Sequence, residues 1–155
     1  MLKTGQQLLN ARHVLRRVPW ARLRRDDHDN VLGFLPSAFE LRDGEEALSV
    51  NWVEYHQGAT HAERVVQCVA ELRAAAGRQG KQIGQKAGFG IADVGRVRDV
   101  CSGRLKAVRI VYTPTQEIPS HASIKKLPKD DFELLEALAA DAFTEMVMNR
   151  DIPAA

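Results

Sequence analysis

A short β-rich segment followed at once by a helix start is the sequence feature that most constrains the fold. Residues 48–55, LSVNWVEY, are rich in valine and aromatic residues, which favours a strand with Trp52 on its apolar face. Thr60 and Glu63 then have the spacing of a capping box, in which each side chain satisfies a free N–H group at a helix N-terminus. Apolar residues recur at helical spacing beyond this point, so we predict an amphipathic helix over 61–76.

Two further elements complete the predicted core. Residues 105–114, LKAVRIVYTP, are typical of a strand that ends at a proline. An apolar stripe that begins after Pro128 and reaches Met146 predicts a second long helix. Periodicity leaves residues 91–101 open between a helix and a short strand. These elements predict an α+β fold class: a two-layer domain with a small, mainly antiparallel sheet packed by two long helices.

The chain has the length of one domain, and we predict a single α+β domain over residues 1–155. Residues 5–17 are expected to form a short helix or an extended arm, and 1–25 a basic N-terminal arm. An Asp-Gly turn signal lies between 34–41 and 48–55, which suggests that these two stretches pair as a hairpin.

Composition narrows the class of protein without identifying a partner. The 22 Lys and Arg residues nearly balance the 20 Asp and Glu residues, so the net charge is only +2. There is no apolar run long enough to cross a bilayer, and Cys68 and Cys101 lack metal-ligand spacing. We therefore expect a cytoplasmic protein with reduced thiols, without membrane association and without cofactors. Motifs of P-loop proteins, Rossmann proteins, zincins and serine hydrolases are absent from the sequence.

Histidines near carboxylates and hydroxyls are the candidates for catalysis. Glu54, His56, His61 and Glu63 lie between the end of the predicted strand and the start of the predicted helix, where such a set could bind metal or act as an acid–base pair. Their spacing matches no metal-ligand signature, so we predict a polar loop and no metal site. His121 lies between two serines in the segment SHASI. An enzyme would use His121 with His56 or Glu54.

Two basic segments are the candidates for binding a partner. In the first, an aromatic residue stands among arginines that could contact phosphates, as in nucleic-acid-binding surfaces. The second follows the predicted helix. The predicted contact residues are Arg16, Arg17, Trp20, Arg22, Arg24 and Arg25 in the first segment, and Lys81, Lys86, Arg96 and Arg98 in the second.

The segments LSVNWVEY and SHASI are similar to segments of small uncharacterised bacterial proteins, a resemblance that implies no activity. SHASI also resembles one half of the paired His-x-Ser/Thr motif of two-histidine phosphoesterases, although this chain has no second copy. The leading hypothesis is a non-enzymatic accessory or adaptor subunit of a bacterial multi-component system, which binds nucleic acid or an acidic protein partner. The alternative is a small His-dependent hydrolase that acts on a phosphodiester or nucleotide. A third hypothesis is self-association through the Trp52 strand or the C-terminal helix.

Overall fold

The computed structural model describes residues 1–103 and 107–153 and is built around a mixed arrangement of strands and helices. The strands of the described residues are β1 His13–Val18, β2 Leu23–Arg25, β3 Val31–Phe34, β4 Ala47–Trp52, β5 Gly88–Asp93, β6 Arg109–Tyr112, β7 His121–Lys125 and β8 Glu145–Met148. The α-helices are α1 His61–Arg78, α2 Val94–Cys101 and α3 Phe132–Ala137. Short 3-10 helices cover Trp20–Arg22, Pro36–Phe39, Val53–Tyr55 and Asn149–Asp151, and a π-helix covers Leu138–Ala142.

Six of the strands form one antiparallel sheet in the order β6-β7-β4-β1-β5-β8, and β2 and β3 pair separately. The predicted α+β class and the mainly antiparallel sheet are therefore confirmed. β1 lies in the interior of this sheet, between β4 and β5. Most of this strand lies in residues 5–17, which we expected to form a short helix or an extended arm. The segment takes a central place in the sheet because Val14, Leu15 and Val18 are apolar and fully buried.

Apolar side chains cover both faces of the six-stranded sheet. On one face, Leu15, Phe89 and Ile91 pack with residues of α1 such as Val65 and Val69. Neighbouring strand residues point to the opposite face. There the packing partners come from α2, α3 and the β2–β3 pair, and they include Val97, Leu134, Leu23 and Phe34. Both faces of the sheet are thus covered by other elements, whereas we predicted a two-layer domain.

The first predicted helix is confirmed, and the local signal explains why. The Thr60 hydroxyl accepts a hydrogen bond from the Glu63 N–H at 3.2 Å. Glu63 Oε2 accepts one from the Ala59 N–H at 2.8 Å, one residue before the position that a standard capping box uses. α1 runs from His61 to Arg78.

The prediction of two long helices is wrong at the C-terminal end. α3 ends at Ala137 and a π-helix continues to Ala142, after which Phe143 leaves helical geometry with a ψ of 68°. The chain then forms β8, which pairs with β5 along the edge of the sheet. Helical periodicity cannot exclude this outcome, because pairing with an open strand edge outweighs the helix propensity of a few residues.

The predicted hairpin between 34–41 and 48–55 is also wrong. Pro36 begins a 3-10 helix, a position where its fixed φ and missing N–H are tolerated. β3 therefore ends at Phe34 and pairs with β2, while β4 pairs with β1 and β7. Residues 91–101 contain both of the elements left open, with the end of β5 followed by α2. Of the predicted strand over 105–114, the structure shows Arg109–Tyr112, and residues 104–106 lie outside the described part.

Candidate metal centre

Five ionisable side chains from five separate segments meet beside the N-terminus of α1. They are brought together by the start of β1, the 3-10 helix after β4, the first residue of α1, the end of β5 and the start of β8. The five residues are His13, Glu54, His61, Asp93 and Glu145. We refer to this set as the histidine–carboxylate cluster.

His13 is held between two carboxylates. Its Nδ1 lies 2.6 Å from Glu54 Oε2, and its backbone N–H donates to Glu54 Oε1 at 2.7 Å. Its Nε2 lies 3.0 Å from Asp93 Oδ1. The second contact follows from the sheet, because His13 and Asp93 are direct partners in the β1–β5 register. The Glu54 side chain is only 11% exposed, so this carboxylate is largely removed from water.

His61 reaches the same place from α1. Its Nε2 lies 2.9 and 3.2 Å from the two carboxylate oxygens of Glu145. The imidazole rings of His13 and His61 are in contact, with their centroids 4.6 Å apart. Both histidine side chains are about one-third exposed, at 29% for His13 and 35% for His61, so the cluster is open to solvent on one side.

Three of these residues have the geometry of a metal-ligand set. One ligand atom each from His13, Glu54 and His61 can be chosen so that all three lie within 4.8 Å of one another. Imidazole nitrogen and carboxylate oxygen are common ligands of zinc and of other first-row transition metals. The arrangement can therefore provide three ligands to a single ion.

Only part of this cluster could be predicted from the sequence. Glu54 and His61 lie in a polar segment that could bind metal, but we predicted no metal site there. His13, Asp93 and Glu145 were not predicted, because their proximity depends on the order of β1, β5 and β8 in the sheet. The available signal was local: polar residues stand at the ends of largely buried strands, where binding residues are often found.

The residues of the hydrolase hypothesis are placed in separate environments. His121 lies on β7, with Nδ1 near the Thr113 carbonyl oxygen at 2.9 Å and Nε2 near Ser49 Oγ at 3.1 Å. Glu54 contacts His13, and His56 lies beside Glu71. Within the described residues, no hydrogen bond or ion pair joins any two of Glu54, His56 and His121.

His56 belongs to a buried polar group beneath α1. Its Nε2 is 3.5 Å from Glu71 Oε2. Burial lowers the pKa of His56, and the negative charge of Glu71 opposes that shift. Glu71 Oε1 accepts a hydrogen bond from the hydroxyl of Ser120, a residue with no solvent exposure. This group joins α1 to the segment before β7, and its serine is closed to a substrate.

Four of the predicted contact arginines bind carbonyl oxygens of the protein itself. Arg16 donates to the carbonyls of Ala38 and Ser49, and burial lowers its pKa to about 10. The remaining three are Arg22, which donates to the Ser37 carbonyl, Arg96, which donates to the Asp141 carbonyl, and Arg98, which donates to the Leu8 carbonyl and the side chains of Asn10 and Gln7. These arginines connect segments of the fold.

The two basic segments meet at Trp20. The Arg25 guanidinium lies 4.3 Å from the centroid of the indole ring, and Lys86 Nζ lies 5.0 Å from it. Arg25 also lies 3.5 Å from Asp29. Arg24 is exposed on β2 and lines a separate cleft together with Glu136 and Phe143. We refer to Trp20, Arg25 and Lys86 as the Trp20 surface. The other two predicted contact residues are Arg17, which is exposed on β1, and Lys81, which lines a cleft of about 700 Å³ together with Arg73 and Arg150.

None of the helices in the described residues has the length and apolar character that a membrane span requires.

Comparison with known proteins identifies no family for this chain. No protein-family model, no curated protein and no solved structure matches it.

Proposed function

We propose that this protein binds one divalent transition-metal ion through His13, Glu54 and His61. The observation that carries the proposal is the convergence of one ligand atom from each residue within 4.8 Å. The proposal replaces our sequence-based expectation of no metal site. Such a cluster of partly shielded charges contributes little to the stability of a hydrophobic core. A bound cation, in contrast, would neutralise its carboxylates and fix the orientation of its imidazoles.

The distances suit a small transition-metal ion. Ligand bonds of about 2.0–2.2 Å place neighbouring ligand atoms about 3.3–3.6 Å apart in a tetrahedron. The 2.6 Å separation of His13 Nδ1 and Glu54 Oε2 lies below that range, and the 4.8 Å bound on the set lies above it. Binding of an ion would therefore move His13 Nδ1 and Glu54 Oε2 apart and bring the more distant ligand atoms closer together. Two nitrogens and one oxygen favour zinc, cobalt or ferrous iron over magnesium and calcium, which prefer oxygen ligands.

Three protein ligands leave at least one coordination position for water, as in catalytic zinc sites. Solvent can reach this position because both histidines are partly exposed. A metal-bound water of lowered pKa is the nucleophile of many hydrolases. The enzymatic version of the proposal is therefore hydrolysis of a phosphodiester or nucleotide at the metal, in place of a reaction carried by His121 and His56.

Metal titration of the protein after treatment with a chelator tests the proposal. We expect isothermal titration calorimetry with Zn²⁺ to give one site per chain, and Co²⁺ to give visible absorption of a nitrogen–oxygen site. His61→Ala and Glu54→Gln each remove one ligand. Loss of a hydrogen-bond partner of a ligand typically weakens metal binding by about 10–100-fold, and we expect each of these variants to weaken Zn²⁺ binding by more than that.

His28→Ala is the matched control, because His28 is an exposed histidine in the turn between β2 and β3. This variant should bind Zn²⁺ as the unmodified protein does. Unchanged affinity in both His61→Ala and Glu54→Gln would contradict the proposal, as would an equal loss in His28→Ala.

A second function is supported by the contacts of Trp20. We propose that the protein is also an accessory or adaptor subunit of a bacterial multi-component system. In this role it binds an anionic partner through the Trp20 surface. Arg25 and Lys86 come from different basic segments and both approach the same indole ring. Their shared position supports a single contact surface for phosphates, and nucleic acid is the version to test first. An acidic protein partner is the other version.

Charge reversal tests the Trp20 surface. A variant with Arg25→Glu and Lys86→Glu should bind labelled single-stranded DNA more weakly in fluorescence anisotropy. Each lost phosphate contact should reduce the slope of log affinity against log salt by about 0.7. Arg22 is left intact, because its hydrogen bond to the Ser37 carbonyl supports the fold.

The control is the double charge reversal Lys125→Glu and Lys129→Glu, which makes the same change in net charge at exposed positions elsewhere. Equal loss of affinity in both double variants would show a nonspecific effect of net charge. No binding of DNA or RNA by the unmodified protein, even at low salt, would leave only the acidic-protein version.

A further inference from the structure

From the metal site proposed above, on which this inference rests, we infer that Asp93 and Glu145 are positioning residues. They fix the tautomer of both histidines so that each histidine binds the metal through Nδ1. Asp93 would accept a hydrogen bond from Nε2–H of His13, and Glu145 from Nε2–H of His61. Each imidazole would then present the lone pair of its other nitrogen to the ion.

The two ring nitrogens of His13 contact different carboxylates. Nε2 lies 3.0 Å from Asp93 Oδ1, and Nδ1 lies 2.6 Å from Glu54 Oε2. A neutral imidazole has one N–H donor and one lone pair. When Nε2 carries the hydrogen and donates to Asp93, the lone pair of Nδ1 lies on the side of the proposed ligand Glu54.

His61 follows the same pattern. Its Nε2 is near both oxygens of Glu145, at 2.9 and 3.2 Å. Its Nδ1 is then the nitrogen left for the ion. Both histidines therefore have a carboxylate at Nε2, and these carboxylates come from β5 and β8, two strands that are paired with each other. Metal-bound histidines in proteins almost always donate their second N–H to such a partner.

The position of Asp93 provides a separate argument for this role. Asp93 is the residue that precedes α2, where an aspartate side chain commonly accepts a hydrogen bond from the helix N-terminus. Its carboxylate makes no such hydrogen bond. Thr60 and Asp131, the corresponding residues of α1 and α3, do cap their helices with their side chains. The carboxylate of Asp93 is instead directed at His13.

The sheet holds both carboxylates in place. Asp93 lies directly opposite His13 in the β1–β5 register, and Glu145 lies opposite Ile91 in the β5–β8 register. Glu145 is therefore two residues along from the level of Asp93 and on the same face of the sheet. Such fixed partners orient the imidazoles and make them more basic, which strengthens metal binding.

Two isosteric variants, Asp93→Asn and Glu145→Gln, test the inference. Each retains the side-chain shape and removes the carboxylate charge. We expect each to weaken Zn²⁺ binding by about 10–100-fold in calorimetry. Asp99→Asn removes the same charge from an exposed position on α2, and it should bind Zn²⁺ as the unmodified protein does.

A spectroscopic measurement separates positioning from general stabilisation. In the zinc-loaded protein, long-range ¹H–¹⁵N correlation spectra of the imidazoles should show His13 and His61 with hydrogen on Nε2 and metal on Nδ1. Spectra with metal on Nε2 of either histidine would overturn the inference, because that nitrogen could not then donate to its carboxylate.

The failures of the two proposals are distinguishable. If the unmodified protein binds no Zn²⁺, or if both His61→Ala and Glu54→Gln bind it normally, the metal site itself is wrong. If His61→Ala and Glu54→Gln bind Zn²⁺ more weakly than the unmodified protein, but Asp93→Asn and Glu145→Gln bind with unchanged affinity, only the positioning role is wrong. Complete loss of binding in Glu145→Gln would identify Glu145 as a ligand and would also overturn this role.

Discussion

Phe39→Ala is expected to lower the free energy of unfolding by about 3–5 kcal/mol, the range measured for buried phenylalanines in other proteins. Phe39 has no solvent exposure, and its ring stacks on Phe143 with centroids 4.6 Å apart. It also meets the edge of Phe34 at 5.9 Å. Removal of the ring leaves a cavity between β3 and the segment that leads into β8. Urea unfolding followed by circular dichroism should show a lower midpoint with an unchanged slope.

Phe132→Ala is the control for this prediction, because the Phe132 side chain is 63% exposed at the start of α3. The same substitution there should change the free energy of unfolding by no more than about 0.5 kcal/mol. Equal urea midpoints for the two variants would contradict the packing described for Phe39.

Arg73→Met is expected to lower the free energy of unfolding by about 2–4 kcal/mol, because it leaves several partly buried acceptors without donors. The guanidinium of Arg73 donates to Asn149 Oδ1 and to the carbonyls of Asn149, Ile152 and Pro153. Asn149 is 4% exposed, and it donates in turn to the Ile83 and Gly84 carbonyls. Methionine retains most of the aliphatic stem, so the loss comes mainly from the hydrogen bonds.

Arg78 provides the matched control on the same helix. It is exposed and donates one hydrogen bond, to the Glu117 carbonyl. Arg78→Met should change the free energy of unfolding by about 0.5 kcal/mol or less. A cost for Arg73→Met no greater than this would show that α1 is not tied to the C-terminal segment through Arg73.

The sequence predicted best those elements whose signals are local. The capping interaction of Thr60 and Glu63 involves neighbours in the chain, and α1 begins where it was expected. The same holds for β4, where Val50 and Trp52 are residue types enriched in strands. The prediction of the second long helix was wrong, because the edge of β5 lies far away in sequence and determines that residues 145–148 form β8.

The same contrast explains how much of the candidate site was found. Glu54 and His61 lie seven positions apart in the sequence and were considered together. His13 joins them because β1 pairs with both β4 and β5, and Glu145 joins them because β8 adds to the far side of β5. A one-residue shift of either register would turn these side chains to the other face of the sheet. No local pattern encodes that register.

Charge alone also failed to show what the arginines do. Arg16 and Arg24 stand in the same basic segment, yet Arg16 donates to two backbone carbonyls of the protein and Arg24 is exposed. Composition describes the two identically, because a guanidinium can satisfy backbone oxygens as readily as it contacts a phosphate. The predicted contact residues that remain are those of the Trp20 surface and the exposed residues Arg17, Arg24 and Lys81.

The central claim is that His13, Glu54 and His61 together hold one metal ion. Its most direct test is X-ray diffraction from crystals grown with Zn²⁺, with data collected on both sides of the zinc absorption edge. We expect one anomalous peak per chain within about 2.0–2.2 Å of a nitrogen of each histidine and an oxygen of Glu54. A peak elsewhere on the chain, or no peak in crystals whose chains show these three side chains well ordered, would contradict it.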